Sequence, residues 1–347
     1  MRIKKAGTVL LAMLLLCGCG KKTELIDTGM EQVEKLDFGT ALATFDQAIE
    51  EKEDAELALR GKGLAYMGLS DYTDAVDCFS QALQHAGMFP KDAETDINYY
   101  LATAQYKAGQ KEEAVKTLDA IAGLKEKHPE VYFLRGSIKM ELGEQQPATE
   151  DLNLALHYSK QDTTMTIRVY QVFEKNGYKD EGRIYLSNAI EERLSLMNEY
   201  EKGVIYYYME DYENARNNLE AYRAQGNQDT DTLLMLGKTY EQLGDSNYAA
   251  SLYAKYLEEN EPNAQIYNQL GLCKLQIGQY AEAMEAFEKG LETENNVSVL
   301  QELKYNRIIA CEYTGDFRKA AQMMSEYMTE YPDHREAARE YTFLQSR

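Results

Sequence analysis

Side-chain size recurs along this chain in a fixed phase. Anchor positions fall at Gly29, Gly63, Ala102, Gly136, Tyr170, Gly203, Gly237, Gly271 and Ile308, spaced 34, 39, 34, 34, 33, 34, 34 and 37 residues apart. Twelve residues beyond them stand Ala41, Ala75, Ala114, Ala148, Gly182, Ala215, Ala249, Ala283 and Ala320. Four further on stand Phe45, Phe79, Leu118, Leu152, Leu186, Leu219, Tyr253, Phe287 and Met324. Small residues followed in step by large apolar ones mark stacked supersecondary units, each too small to bury its own apolar face.

Each repeat reads as two helices broken near the seventh residue past the anchor. Six repeats place glycine there (Gly109, Gly143, Gly177, Gly244, Gly278 and Gly315), the residue that most readily adopts the left-handed conformation ending a helix. Only five prolines interrupt a chain rich in good helix formers. The small residues let two antiparallel helices approach at the low end of the usual 8–10 Å, and the large residue is expected to fill the space between one pair and the next.

A period of 34 with this pattern resembles the tetratricopeptide repeat over roughly residues 23–332. Further matches are Tyr66, Tyr206 and Tyr240 three past the anchor, and Phe38, Tyr72, Tyr212, Tyr280 and Phe317 nine past it. The early tryptophan of that family is missing, with Leu25, Leu59, Tyr132, Leu233 and Tyr267 in its place. The resemblance implies an all-α fold: a right-handed α-solenoid of about nine helix pairs, closed by a capping helix over 333–347 in which Ala338, Tyr341 and Leu344 share a face. Between repeats two and three, "QHAGMFPKDAET" adds five residues and a proline. Repeat five reverses the pattern, with Tyr170 at its anchor and Gly182 in its second helix. Glycine there costs about 1 kcal/mol relative to alanine, so 165–195 is the expected soft point of the array.

The first residues belong to a different kind of segment. Arg2, Lys4 and Lys5 precede an apolar run from Ala6 to Leu16, too short to span a bilayer but suited to an export signal over residues 1–18. The run ends in "LCGC", which resembles the lipobox of bacterial lipoproteins and implies cleavage before Cys19, acylation of its thiol and anchoring to the extracytoplasmic side of a bacterial membrane. A plain secretory signal holding two cysteines is the alternative. Residues 19–22 leave only a short linker, which starts the helices within about 15–20 Å of the lipid.

Without residues 1–18 the chain carries 34 basic and 58 acidic side chains, a formal charge of −24. That excludes nucleic acid as a natural partner and disfavours contact of the body with anionic lipid. Cys78, Cys273 and Cys311 fit no disulfide framework or zinc motif. A Cys273–Cys311 bridge is conceivable, with buried thiols the simpler reading. His85, His128, His157 and His334 are scattered, and no phosphate loop or nucleophile motif occurs. "GKGLAY" from Gly61 imitates half a dinucleotide fingerprint, but Gly63 is already a repeat anchor. "NVS" at Asn296 is read as a chance glycosylation triplet. No catalytic residue, metal site or cofactor is expected.

The resemblance further implies that the first helix of each pair lines a concave groove, through positions six and three before the anchor and one, four and five after it. These positions nominate Tyr99, Tyr106, Phe133, Met140, Met197, Tyr200 and Tyr207 as partner-binding residues. Tyrosine is favoured at binding sites because it covers area and still reaches a hydrogen bond. Packing of the same residues against neighbouring first helices is the competing reading. The expected partner is a protein or peptide segment, basic or neutral and apolar. A carboxylate clamp for acidic tails is missing, since Arg60 is followed by Leu64 rather than asparagine. Three functions remain open: a membrane-anchored recruiting scaffold, an adaptor for envelope or cell-wall assembly, and a self-associating structural protein of undetermined oligomeric state.

Overall fold

The computed structural model describes residues 23–85, 92–124, 127–293 and 299–346. The export signal, Cys19, its linker, Asn296 and part of the connection between repeats two and three lie outside the described residues. All regular structure in the described residues is helical. Repeats one to four comprise α1 (Glu24–Glu34) with α2 (Phe38–Glu50), α3 (Ala55–Gly68) with α4 (Tyr72–Gln84), α5 (Asp92–Lys107) with α6 (Lys111–Leu124), and α7 (Pro129–Glu141) with α8 (Gln145–Tyr158). Repeats five to seven comprise α9 (Thr163–Lys175) with α10 (Lys179–Arg193), α11 (Glu199–Tyr208) with α12 (Tyr212–Ala224), and α13 (Thr230–Gln242) with α14 (Ser246–Glu259). Repeats eight and nine are α15 (Ala264–Gln276) with α16 (Tyr280–Glu292) and α17 (Leu300–Tyr313) with α18 (Phe317–Glu330), and α19 (Arg335–Leu344) follows.

The reversal between paired helices has one backbone solution. All six nominated glycines have φ between 80° and 88°. The three repeats without glycine adopt the same left-handed conformation at Leu36 (φ 62°), Ser70 (φ 61°) and Glu210 (φ 65°). A side chain at such a position is strained, because its Cβ crowds the following carbonyl. The next residue often caps the second helix. Asp37, Asp71, Asp211, Asp245 and Asp316 each accept a hydrogen bond from a backbone N–H in the first turn.

Every residue of the three in-phase series is buried. The glycine anchors make room for the large residue of their own repeat. A Cβ on Gly29 would stand 2.6 Å from the Phe45 ring, one on Gly63 2.6 Å from Phe79, and one on Gly203 2.6 Å from Leu219. Gly237 and Gly271 are covered in the same way by Tyr253 and Phe287. Phe45 also lies over Gly61 of the following first helix, so its ring joins adjacent pairs as well. The large residue thus fills the gap to the next pair, as expected, and also the crossing within its own pair, which the sequence reading did not include. Close helix crossing is seen at Gly136 and Gly203, whose Cβ atoms would meet the carbonyl oxygens of Ala148 and Ala215 at 3.0 and 3.3 Å. Each such buried ring contributes about 2–3 kcal/mol of apolar burial.

Repeat five keeps the helix pair with a large residue at its anchor and glycine in place of alanine on the facing helix. Tyr170 is buried at the anchor, and a Cβ on Gly182 would stand 2.9 Å from Cβ of Phe173 and 3.2 Å from the carbonyl oxygen of Tyr170. α10 then runs into a 3-10 turn over Leu194–Leu196, and Ile184, Leu194 and Leu196 remain exposed.

Tertiary contacts divide the chain into two compact blocks, one ending at Lys160 and the other beginning at Gln161, immediately before repeat five. Lys160 and Gln161 are both left-handed, at φ 58° and 55°. In the C-terminal block, α19 packs on α18. It buries Ala337 and Leu344 beside Met324 and Tyr327, with Tyr341 half-buried and its hydroxyl 3.2 Å from Ser325 Oγ. Cys78, Cys273 and Cys311 are buried free thiols, with no bridge between the last two.

Candidate functional site

The first helices of successive repeats touch one another inside each block. Polar side chains bridge many of these contacts. In the N-terminal block Arg60 of α3 donates to Asp96 of α5 at 2.8 Å, and the Tyr106 hydroxyl of α5 donates to Glu141 of α7 at 2.8 Å. Lys111 completes the latter cluster, 3.0 Å from the other oxygen of Glu141. In the C-terminal block Gln171 donates to the Tyr208 hydroxyl at 3.1 Å, and Asn268 donates to Glu302 at 3.3 Å while accepting from Asn306 at 3.0 Å. Several groove positions thus serve the stack itself, as the competing reading of the sequence has it.

The nominated residues divide accordingly. Met140 and Met197 are buried, 3% and 6% exposed, and Met197 belongs to the apolar cluster of Tyr170, Leu186 and Ile205. That corrects their assignment to an accessible lining: four residues past Gly136, and just before α11, the side chain turns into the core. Tyr99, Tyr106, Phe133, Tyr200 and Tyr207 are half-buried. In the N-terminal block, the Tyr99 ring lies 6.1 Å from the His128 ring. In the C-terminal block, Tyr200 packs on Tyr222 at 5.5 Å, and Tyr207 meets Tyr208 and Tyr212 edge-on at 5.5 and 5.6 Å. Tyr313 of α17 stacks on Tyr280 at 5.0 Å and is exposed.

Burial dominates the electrostatics of these rings. It pushes the Tyr106 hydroxyl up to about 12, with help from the Glu141 carboxylate. Burial does the same for Tyr200, with Asp231 and Asp229 adding to it, and for Tyr207, with Tyr212, Tyr208 and Glu241 contributing. These phenols stay neutral and can donate as well as accept hydrogen bonds. Glu241, four past its anchor, is pushed up by burial against the hydrogen bonds it accepts from Cys273 and Tyr253.

Asp96, Glu141 and Glu302 are the members of this face that sequence reasoning missed. A signal existed for two of them. Asp96 and Glu302 stand six before their anchors, opposite Arg60 and Asn268 three before the preceding ones, so complementary pairs recur in a fixed register. Among the described residues, no group of three or more His, Cys, Asp or Glu is placed to hold a metal ion.

Antiparallel helix pairs, stacked so that first helices form one continuous face in each block, define a helical-repeat scaffold. The chain belongs to the tetratricopeptide-repeat family. Sequence comparison places tetratricopeptide repeats at residues 26–93, 66–138 and 234–296. Over 83 residues the chain is 34% identical to the BBSome complex member BBS4 of Bos taurus, an alignment covering 24% of this chain and 16% of that protein. Among solved structures, a tetratricopeptide repeat protein from Parabacteroides merdae is 18% identical, with 73% of this chain and 99% of that chain covered at a TM-score of 0.47. YrrB, described as a tetratricopeptide protein with an unusual peptide-binding site, is 18% identical, covering 65% of this chain and 97% of that one at a TM-score of 0.37.

Proposed function

We propose that this chain is a lipid-anchored, extracytoplasmic scaffold that holds a segment of another protein on its first-helix face and performs no catalysis. One observation carries the reading. Besides the polar bridges and the buried methionines, half-buried aromatic rings line the first helices of each block: Tyr99, Phe133 and the ring of Tyr106, whose hydroxyl bridges to Glu141, in one, and Tyr200 and Tyr207 in the other. Half-exposed tyrosines beside satisfied polar groups suit a bound segment, since they lose little side-chain entropy on binding. The charge of −24 beyond residue 18 favours a basic or neutral apolar segment. Anchoring rests on the "LCGC" motif and its acylated Cys19, which would hold the scaffold at the cell envelope through two acyl chains.

A photoreactive residue at Tyr106 or Tyr207 is expected to crosslink one protein in cells. Replacing Tyr99, Tyr106 and Phe133 together with alanine should abolish capture at the first site while helical circular dichroism is retained; undiminished capture would refute the assignment. Cys19→Ser should move the protein from the detergent to the aqueous phase in a partition experiment, and retention in detergent would contradict the anchor.

A further inference from the structure

The C-terminal block holds a cavity of about 80 Å³ where the C-terminal ends of α12 and α14 meet the N-terminal end of α13. It lies off the first-helix face. Its α13 residues, Thr232 and Leu233, stand five and four before Gly237, outside the groove positions. Leu233 and Leu252 form an apolar floor. Arg223 and Lys255 supply two cations at its wall.

Several polar groups around that floor are hydrogen-bonded within the protein. Asn227 donates to the Tyr222 carbonyl at 3.0 Å and Asn260 to the Tyr256 carbonyl at 2.9 Å. Thr232 Oγ1 donates to Asp229 at 2.8 Å, and the Tyr256 hydroxyl lies 2.8 Å from Thr230 Oγ1. Arg223 Nη1, by contrast, is buried and makes no hydrogen bond, and its ion pair with Glu220 is open at 3.7 Å. Lys255 likewise stands 3.8 Å from Glu259. The Arg223 side chain is 32% exposed and only loosely paired, so its remaining N–H groups are free to meet an incoming carboxylate.

The residue nineteen past the anchor differs among the repeats: repeats one, two and four carry Ala48, Ala82 and Ala155, but repeats six and seven carry Tyr222 and Tyr256. Tyr222 is engaged by the Tyr200 ring, and Tyr256 lines the cavity.

We propose that this cavity binds a small organic monocarboxylate, with its carboxylate on Arg223 and its apolar stem on Leu233 and Leu252. A planar carboxylate matches the guanidinium fork. The two flanking acids, Glu220 and Glu259, disfavour a ligand with more than one negative charge. A void of roughly 150 Å³ accommodates benzene, so this smaller one suits a stem of about three or four carbons. A free acid and a peptide's C-terminus both present such a carboxylate, and experiment separates the two sources.

The test uses the full chain in detergent, labelled at leucine methyl groups, with butyrate, butanol and butylamine as probes. Butyrate should shift the Leu233 and Leu252 methyl signals saturably, and butylamine should not. Arg223→Gln should weaken butyrate about tenfold or more. Leu252→Phe fills the floor and should block butyrate while the melting temperature is kept or raised. An acetylated tripeptide ending in leucine, tested as free acid and as amide, identifies the source: binding by the acid form alone adds the peptide terminus, and binding by neither form leaves the free acid. Absence of a saturable shift with butyrate, meaning that the cavity holds water only, overturns the proposal. So does equal binding of butyrate and butanol, or undiminished binding by Arg223→Gln or Leu252→Phe.

Discussion

In repeat eight the first helix carries the glycine and the second carries the ring: Phe287 fills the space that Gly271 leaves. In repeat five the ring sits on the first helix as Tyr170, and the glycine has moved to the second as Gly182. Both arrangements bury every member of the series, although repeat five holds two large residues, Tyr170 and Leu186, where repeat eight holds Phe287 alone; what they share is a glycine beside the ring, on either helix of the pair. The exchange has consequences. Repeat eight keeps alanine at Ala283 inside its second helix, whereas repeat five places glycine in a helix interior and leaves Ile184, Leu194 and Leu196 exposed.

The largest effect expected from this contrast is in packing. Phe287→Ala should destabilise the C-terminal block by about 3–5 kcal/mol, and Leu186→Ala, the matching change in repeat five, by about 2–3 kcal/mol, both read from chemical denaturation. Equal losses would mean that the two slots are packed alike. Amide exchange sharpens the same comparison. Amides of α9 and α10 should open at a free energy about 1 kcal/mol below those of α15 and α16, the penalty of Gly182 in its helix; equal protection would remove the soft point.

A pH effect should appear at the other end of the C-terminal block. Burial, followed by the neighbouring Glu340 carboxylate on α19, pushes Glu312 of α17 up to about 7. An acid whose folded pKa lies above its unfolded one gives stability that is fully present below pH 4.5 and is lost as pH rises through about 7. Melting of the wild type should therefore decline between those values more than that of Glu312→Gln, while repeat five, remote from this pair in sequence, should show no matching change in exchange. The smallest effect concerns the turns. Leu36 is exposed in a left-handed conformation where six other repeats use glycine, and Leu36→Gly should stabilise the N-terminal block by up to about 1 kcal/mol in thermal melts.

Much of this architecture was legible because size and period act locally. The glycines seven past the anchor announced the turns, and the alternation of small and large residues located the core. The turns at Leu36, Ser70 and Glu210 were not legible, since stacking imposes a conformation those residues do not prefer. Charge was harder to read than size. Asp151 resembles any acid on an outer helix face, yet it is 3% exposed beneath Arg135 and Lys139, the latter at 2.9 Å. The groove assignment failed for Met140 and Met197 for a related reason: a position can line the face in one repeat and enter the core in the next when neighbouring side chains leave room. The cavity beside Arg223 is lined by side chains of three successive helices, including Tyr256, a grouping that no single-repeat template displays.

The seating of a ring against glycine across paired helices is tested most directly by a double-mutant cycle at Gly271 and Phe287. Gly271→Ala alone should destabilise the protein by about 1–3 kcal/mol, because the added methyl group meets the ring. Combined with Phe287→Leu, the alanine should be largely accommodated, giving a coupling energy above about 1 kcal/mol. Additive losses in the double mutant would contradict the account.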